Sequence, residues 1–489
     1  MADNDCFLGL DLGTSSLKAV LTDRHGAVLA ETSAHYPTLR PQIGWSEQDP
    51  ADWLTAMTAT VAELYAKASQ YMEHLVAIGF CSAAHSPVLL DADGQVVRPA
   101  ILWSDQRSTV EVDWLIANHG PKIRQVTLNQ PSCTWTLPQL AWVAGNEPES
   151  LARTVSLLSS KDYLIYLLTG QHQMDLTSAV ATLLYDVGER RWDLELCVLA
   201  GLSPEALPEV VDSTTCVGKT GDGAKSFGLP KGVAVISGAL DSAAEIVVCA
   251  GRAVAPPAVI RVGSSAAILA PGKPVFKQGV LNYPHAVMPG HYYQAGTNAG
   301  AVALQWVRQL AGGLDHSEVD AMVKAAPAGA DGLLFHPYLQ GERAPYWNPD
   351  MRGSFSGIHT RHDIGHFIRA VMEGVAFSLR DCIQRLELDL AHDVTARVAG
   401  GVTRGKIWPQ ILADVLGRPL ETVDHAESAL GAAFIAMWAK CGPTGIPEVS
   451  ARTTIRPDLE KTDLYSEMFG RYQRWADFMD REARTGACP

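Results

Sequence analysis

Three observations predict an α/β protein built from two similar domains, each a mixed sheet with helices on its faces. At 489 residues the chain exceeds what one core usually spans, so two domains of roughly 200–250 residues are expected. The first half runs as three short strands and then alternates helical and strand-like blocks, the order of a mixed sheet with crossover helices. A strand, a glycine-hydroxyl turn and a second strand open the chain at Phe7–Lys18, and the same unit returns at Val259–Ile268. Two such units place one turn in each half, the halves facing one another. The boundary falls at Cys249–Pro257, where Gly251, Pro256 and Pro257 interrupt the pattern, giving domains 1–248 and 249–489.

Phe7–Leu12, Leu17–Thr22 and Ala27–His35 read as the three strands, joined by Asp23-Arg24-His25-Gly26 in the second turn. A helical block spans Trp53–Tyr71, followed by a strand at Leu75–Cys81 and a turn at Asp91-Ala92-Asp93-Gly94. Trp135–Gly170 and Trp192–Leu202 read as mainly helical, and Lys231–Asp241 as an apolar strand ending in small residues and an acid. In the second half, Thr395–Ala399 reads as a strand leading through Gly400-Gly401-Val402-Thr403-Arg404-Gly405 into a helix at Ile407–Leu416. A strand, glycine turn and helix N-terminus suit a nucleotide, or form a plain connection. Ile364, Phe367, Ile368, Val371, Met372, Val375 and Leu379 keep the spacing of a helical core stripe, with Glu373 opposite it and given no role.

Composition narrows the function. Apolar residues make up 47% and charged ones 19%, an ordinary globular balance. A net charge of −14 argues against nucleic acid or an anionic membrane as a partner. The start, Met1-Ala2-Asp3-Asn4-Asp5, lacks the basic head and apolar core of a signal peptide, and no apolar run reaches membrane-spanning length. Nine cysteines from Cys6 to Cys488 show no C-x-x-C, so a reducing cytoplasm is the expected location.

The turn in Asp11-Leu12-Gly13-Thr14-Ser15-Ser16 can aim backbone N–H groups at an anion, with Asp11 placed to hold a metal beside a phosphate. Alternatively, Asp11 is an ordinary turn acid at a strand end. No G-x-x-x-x-G-K-[ST] occurs, so this is not a Walker loop. It resembles the first phosphate loop of actin-like ATPases and sugar kinases, which read D-x-G-T-[ST].

Gly353-Ser354-Phe355-Ser356-Gly357-Ile358, followed by His366-Phe367 and Ala370-Val371-Met372-Glu373, resembles the fingerprint of the FGGY carbohydrate kinase family. With the loops at Asp11–Ser16, Gly263–Ser265 and Gly400–Arg404 in order, the resemblance covers nearly the whole chain. It implies two actin-like, ribonuclease-H-like domains with ATP, Mg²⁺ and sugar meeting in the cleft between them. Within the family the chain is most similar to xylulose kinases, through Gly44–Pro50, Arg98–Asp105 and Lys161-Asp162-Tyr163-Leu164, with gluconate kinases second. Phe335–Pro345 is shared in kind by both.

Departures bear on the substrate. Xylulose kinases usually read G-Q-M-H-G where this chain has Ser82-Ala83-Ala84-His85-Ser86, and G-D-N where it has Leu240-Asp241-Ser242. Two shortened side chains widen the sugar pocket for another polyol or acid. Val402 replaces the third glycine of the family's adenine-binding G-G-G and narrows that pocket.

The resemblance makes Asp241 the general base; read from residues alone, it is equally an N-cap for a helix at Ser242–Cys249. Asp11 orients Mg²⁺. Gly13, Thr14, Ser15, Lys18, Gly263, Ser264 and Ser265 receive phosphates, while Gly400, Gly401 and Arg404 border adenosine. Gly296, Asn298 and Gly300 form a further nucleotide wall or a glycine-rich strand end. His85 is a sugar-hydroxyl ligand or a satisfied core histidine. Ala84, Ser242, Trp103 and Asp105 complete the sugar side, with Arg107 beside them. The function implied is ATP-dependent phosphorylation of a ketopentose such as D-xylulose, with gluconate or another polyol or ketose as alternative and a homodimer admitted. A non-transferring actin-like ATPase is the rival from another class, and it needs no base at Asp241. A sugar-binding regulator without catalysis is a second rival, opposed by the retention of both Asp11 and Asp241.

Overall fold

The structure, a computed structural model, describes residues 2–253, 256–390, 396–423, 427–449 and 452–486. Residues 254 and 255 of the expected boundary, Thr395 of an expected strand, and Cys488 lie outside the described residues.

Alternation along the opening strand, β1 (Cys6–Leu12), sends Phe7 to one core and Cys6, Leu8 and Leu10 to another, because successive side chains leave a strand on opposite faces. It is therefore buried on both sides. β2 (Ser16–Asp23) and β3 (Val28–His35) continue it as an antiparallel meander. The helix α1 (Pro50–Met72), N-capped by the Asp49 side chain, covers one face. The chain returns as β4 (Leu75–Ser82), parallel to β1. After a long excursion, β5 (Cys216–Lys219) and β6 (Ala234–Leu240) close the sheet in the order β5-β6-β4-β1-β2-β3.

The second sheet repeats this plan. β7 (Val259–Val262), β8 (Ala266–Gly272) and β10 (His291–Thr297) are its antiparallel meander, with β9 (Leu281–Pro284) added at the edge. β11 (Ala396–Ala399) and β12 (Leu420–Thr422) run parallel to β7, and β13 (Thr453–Ile455) closes the other edge. The shared order, β3-β2-β1-β4-β6 in one sheet and β10-β8-β7-β11-β12 in the other, is the duplication that the repeated strand-turn-strand unit predicts.

Two helices lie between the sheets: α2 (Asp241–Ala250), which leaves β6, and α4 (Ser428–Cys441), which follows β12. Although α4 belongs to the second half of the chain, it packs on β1 and β4 of the first sheet. Glycine permits this: a Cβ at Gly79 would lie 2.0 Å from the carbonyl oxygen of Ala432. The middle core thus mixes Phe7, Ile236 and Val247 with Val259, Leu269, Phe434 and Ile435, and it ties the two halves together. α3 (Ile364–Arg385), opened by an Asp363–His366 capping box, backs the outer face of the second sheet.

Trp135–Gly170 is mainly helical, as expected, with a strand at Ser156–Ser159 that pairs with Pro87–Leu90, and Trp192–Leu202 keeps its helix over Leu194–Leu199. Two local expectations need correction. Glu373 is buried and bonded to Arg369, Tyr465 and the Gly329 amide, because α3 is covered on nearly every side. Asp241 is the first residue of α2, and Leu240 holds the N-cap position. Among the described residues, no helix is long and apolar enough to cross a membrane.

Candidate active site

The parallel strands β1, β4 and β6 end side by side, and their carboxyl ends deliver Asp11, the segment Ser82–Ser86 and Asp241 to one place. The edge where parallel strands stop is where open α/β sheets bind ligands. Asp11 is buried; it accepts from Ser428 Oγ at 3.0 Å and from Cys81 Sγ at 3.5 Å. Burial and the nearby charge of Asp241 push its pKa up to about 6, against the pull of Ser428, Lys18 and Cys81. Asp241 accepts from the Ser242 amide at 2.7 Å. Burial raises its pKa, while the Arg261 guanidinium and that amide hold it back. One turn further along α2, Glu245 pairs with Arg261 of β7 at 3.1 Å. Burial, with Asp241 nearby, pushes Glu245 up to about 7.

Two turns face this acid group. In the first, the carbonyls of Gly13, Thr14 and Ser15 are occupied by the Tyr36 hydroxyl, Gln48 Nε2 and the Tyr36 amide. In the second, the carbonyls of Gly263 and Ser264 accept from the amides of Ala301 and Gly300. Among the described residues, the amides of Thr14, Ser15, Ser264 and Ser265 donate to no protein group. Two turns whose oxygens are occupied and whose N–H groups are open make anion-receiving surfaces. Gly300 is required here, since a Cβ would come within 2.5 Å of the Gly263 oxygen. Gly400 follows β11 beside Val262, and Gly401 and Arg404 are exposed next to it. Val402, between them, packs into the core of the second half.

Other expected site residues are already committed to protein partners. His85 Nδ1 donates to the Ala181 carbonyl at 2.7 Å, which leaves Nε2 as acceptor for the Tyr283 hydroxyl at 2.9 Å. Burial lowers its pKa to about 4, so the ring is neutral and both nitrogens are used. Asp105 takes hydrogen bonds from the Ser46 amide and from the amide, Nε and Nη2 of Arg107. It braces the connection that carries Trp103 rather than facing a ligand, and Arg107 lies over Trp45 at 3.7 Å. Trp103 donates from Nε1 to Thr14 Oγ1 at 3.1 Å, which sets it over the first turn. The Ser242 hydroxyl shares a bond with Tyr292 at 2.8 Å. Asn298 gives its side-chain amide to the carbonyls of Gln340 and Gly341, so it positions that turn. Lys18 pairs with Glu427 at 3.6 Å, both half-exposed. Ala84 lines a small cavity with Ala83, His85 and Ser86.

Sequence reasoning missed the groups that support the site. Lys161, fully buried, meets Asp162 at 2.6 Å and Asp175 at 2.8 Å, and those carboxylates hold it protonated. Thr177 donates to Asp175 and accepts from the Leu240 amide at 2.9 Å, the residue before Asp241. A lysine-aspartate pair among apolar residues was the available signal. Tyr283 and Tyr292, which reach from β9 and β10 into the first half, left none.

Glu342 gives a pH test of this region. Its Oε1 accepts from the amides of Asn298 and Arg343, each at 2.8 Å, and burial pushes its pKa up from 4.5 to about 8. A raised carboxyl contributes stability that is complete below about pH 4.5 and is lost as pH rises through about 8. Glu342→Gln keeps an acceptor oxygen and removes that loss. Its stability relative to the parent should rise between these limits, by at most about 1.4 kcal/mol per pH unit. Parallel denaturation midpoints from pH 5 to 8 would show that the carboxyl is not protonated in the fold.

Comparison with known proteins agrees with this geometry. Residues 6–248 match the N-terminal domain, and residues 258–440 the C-terminal domain, of the FGGY family of carbohydrate kinases. The chain is 32% identical over 480 residues to the xylulose kinase of Bacillus subtilis (strain 168), covering 95% of each. It is 30% identical over 501 residues to the gluconokinase of that organism, covering 98% of this chain and 93% of the other. The crystal structure of xylulose kinase from Rhodospirillum rubrum superimposes with a TM-score of 0.88 at 28% identity, over 98% of this chain and all of that one.

Proposed function

This chain belongs to the FGGY family of carbohydrate kinases, and from that premise we propose that it transfers phosphate from ATP to a hydroxyl of a ketopentose, D-xylulose first, with Asp241 as general base. One observation supports this reading above the rest. A carboxylate at the end of β6 stands beside Asp11 and faces two turns with open amides, as phosphoryl transfer requires. Asp241 takes the proton from the attacking hydroxyl as its oxygen bonds to the γ-phosphorus, and the bond to ADP breaks on the far side. Burial raises the pKa of Asp241 and makes it a stronger base than a solvated carboxylate, and Arg261 opposes that rise. The open amides of Thr14, Ser15, Ser264 and Ser265 receive phosphate oxygens.

Mg²⁺ fits Asp11. Among the described residues no three metal-binding side chains gather, and Mg²⁺ commonly takes only one or two carboxylates beside phosphate and water. When bound, the ion supplies neutralisation of phosphate charge. Asp11 is kept in place for it by Ser428 and Cys81.

ADP release measured with xylulose, ribulose, gluconate, glycerol and erythritol tests the proposal. ATP turnover that no compound stimulates would turn the reading toward a non-transferring ATPase. Gluconate is the second reading, since gluconokinase is among the relatives and Ala83 and Ala84 stand where xylulose kinases carry Gln and Met. With both ring nitrogens of His85 occupied, the pocket is also poor in free hydrogen-bonding groups, and such a site discriminates weakly. Ala83→Gln with Ala84→Met should raise kcat/KM for xylulose relative to the best other compound by roughly tenfold, the value of one recovered hydrogen bond. An unchanged ratio, with xylulose already the best substrate, would discard the pocket argument.

A further inference from the structure

The cations around the cleft are nearly all neutralised by a neighbour. Arg261 has Glu245, Arg107 has Asp105 and Glu47, and Lys161 has two carboxylates. Arg343 does not share this arrangement. Its guanidinium donates from Nη2 to the Thr297 carbonyl at 3.0 Å and lies 5.5 Å from the ring of Trp103, while its Nε is buried without a partner. The adjacent Glu342 makes no ion pair with it: its Oε1 is taken by two backbone amides, its buried Oε2 has no hydrogen-bond partner, and burial raises its pKa.

The location of this charge is specific. Thr297 ends β10, three residues before Gly300, whose amide donates to Ser264 in the second turn. Trp103, whose ring lies 5.5 Å from the guanidinium, is bonded to Thr14 in the first turn. Arg343 is thus flanked by the supports of both amide-lined turns, one from each half of the chain. Gly296 makes room for it, since a Cβ there would approach Arg343 Nη2 to 2.9 Å. An unpaired guanidinium in a protein of net charge −14, set between two anion-receiving turns, invites an anionic ligand of phosphate shape.

We propose that Arg343 is a catalytic residue that hydrogen-bonds the transferring γ-phosphoryl group of ATP. This rests on the kinase reading above. Arg343 gains and loses no proton. It donates to phosphoryl oxygens while the bond to ADP breaks and the bond to the acceptor oxygen forms. Stacking on Trp103 and the bond to Thr297 orient it before the nucleotide arrives, so little reorganisation is needed at transfer.

The test compares ligands that differ only in the third phosphate. ADP and the β,γ-imido analogue of ATP are titrated calorimetrically into the parent, Arg343→Met and Arg343→Lys, with circular dichroism as a check on folding. Arg343→Met should bind ADP within threefold of the parent and the analogue at least tenfold more weakly, with Arg343→Lys between. With the best sugar, kcat should fall about 10²–10³-fold in Arg343→Met while the sugar KM stays within threefold. Equal weakening for ADP and analogue, or a change confined to the sugar KM, would overturn the assignment. So would a kcat within threefold of the parent. Should Arg343→Met fail to fold, Arg343→Gln carries the same comparison. The binding arm needs no acceptor, so a chain that phosphorylates none of the sugars would refute the kinase reading and leave this result legible.

Discussion

Asp241→Asn should bind ATP like the parent and phosphorylate sugar about 10²–10⁴-fold more slowly, the usual contribution of a general base. The substitution is nearly isosteric, and the oxygen that accepts the Ser242 amide can be kept, so α2 should begin at the same residue. What disappears is the carboxylate beside Asp11 that we propose as the proton acceptor. A second consequence follows from the charge: Asp241 is one cause of the raised pKa of Asp11, so neutralising it should let Asp11 ionise more readily. Turnover within threefold of the parent would remove Asp241 from the mechanism. Lost nucleotide binding would instead show a structural defect.

Lys161→Met should cost about 3–5 kcal/mol in stability, the penalty for leaving buried charge without its partner. Lys161 is fully buried between Asp162 and Asp175 and also donates to the Ser237 carbonyl at 3.0 Å. Without it, two carboxylates share a site that water does not reach. The damage should extend to activity, because Asp175 holds Thr177 and Thr177 holds the Leu240 amide just before Asp241. Chemical denaturation with a loss under about 1 kcal/mol would show that the pair is not energetically coupled to the fold. A stability loss with kcat unchanged would separate the network from the placement of the base.

Much of this architecture was legible before any coordinates. The alternation at Phe7–Leu12 and its return at Val259–Ile268 predicted two sheets of like plan, because strand burial is written in a period of two and turns in glycine and hydroxyl residues. Asp11 and Asp241 could be singled out for a related reason. An acid at the end of an apolar strand (Asp11) or directly after one (Asp241) marks where the strand stops at the sheet's edge, and where a strand stops is local information. The helix at Ile364 was equally readable from its stripe.

The availability of a side chain to a ligand was decided only by the tertiary structure. Asp105 was expected on the sugar side, and Ser46 and Arg107 take its carboxylate; His85 was open between ligand and satisfied core histidine, and Ala181 and Tyr283 occupy both its nitrogens. Those partners lie as far as 198 positions away, and no periodicity reports them. The same holds for α4, which crosses from the second half onto the first sheet through the space left at Gly79. Arg343 is the converse case: nothing in its sequence neighbourhood marks it, and only the fold shows that it forms no ion pair and that its buried Nε has no partner. The sequence by itself determined where strands, turns and their terminal acids fall, since those follow from local pattern and backbone chemistry. Which charges are spent on the fold and which remain for a substrate depends on long-range pairing and desolvation, and these exist only once the chain has closed on itself.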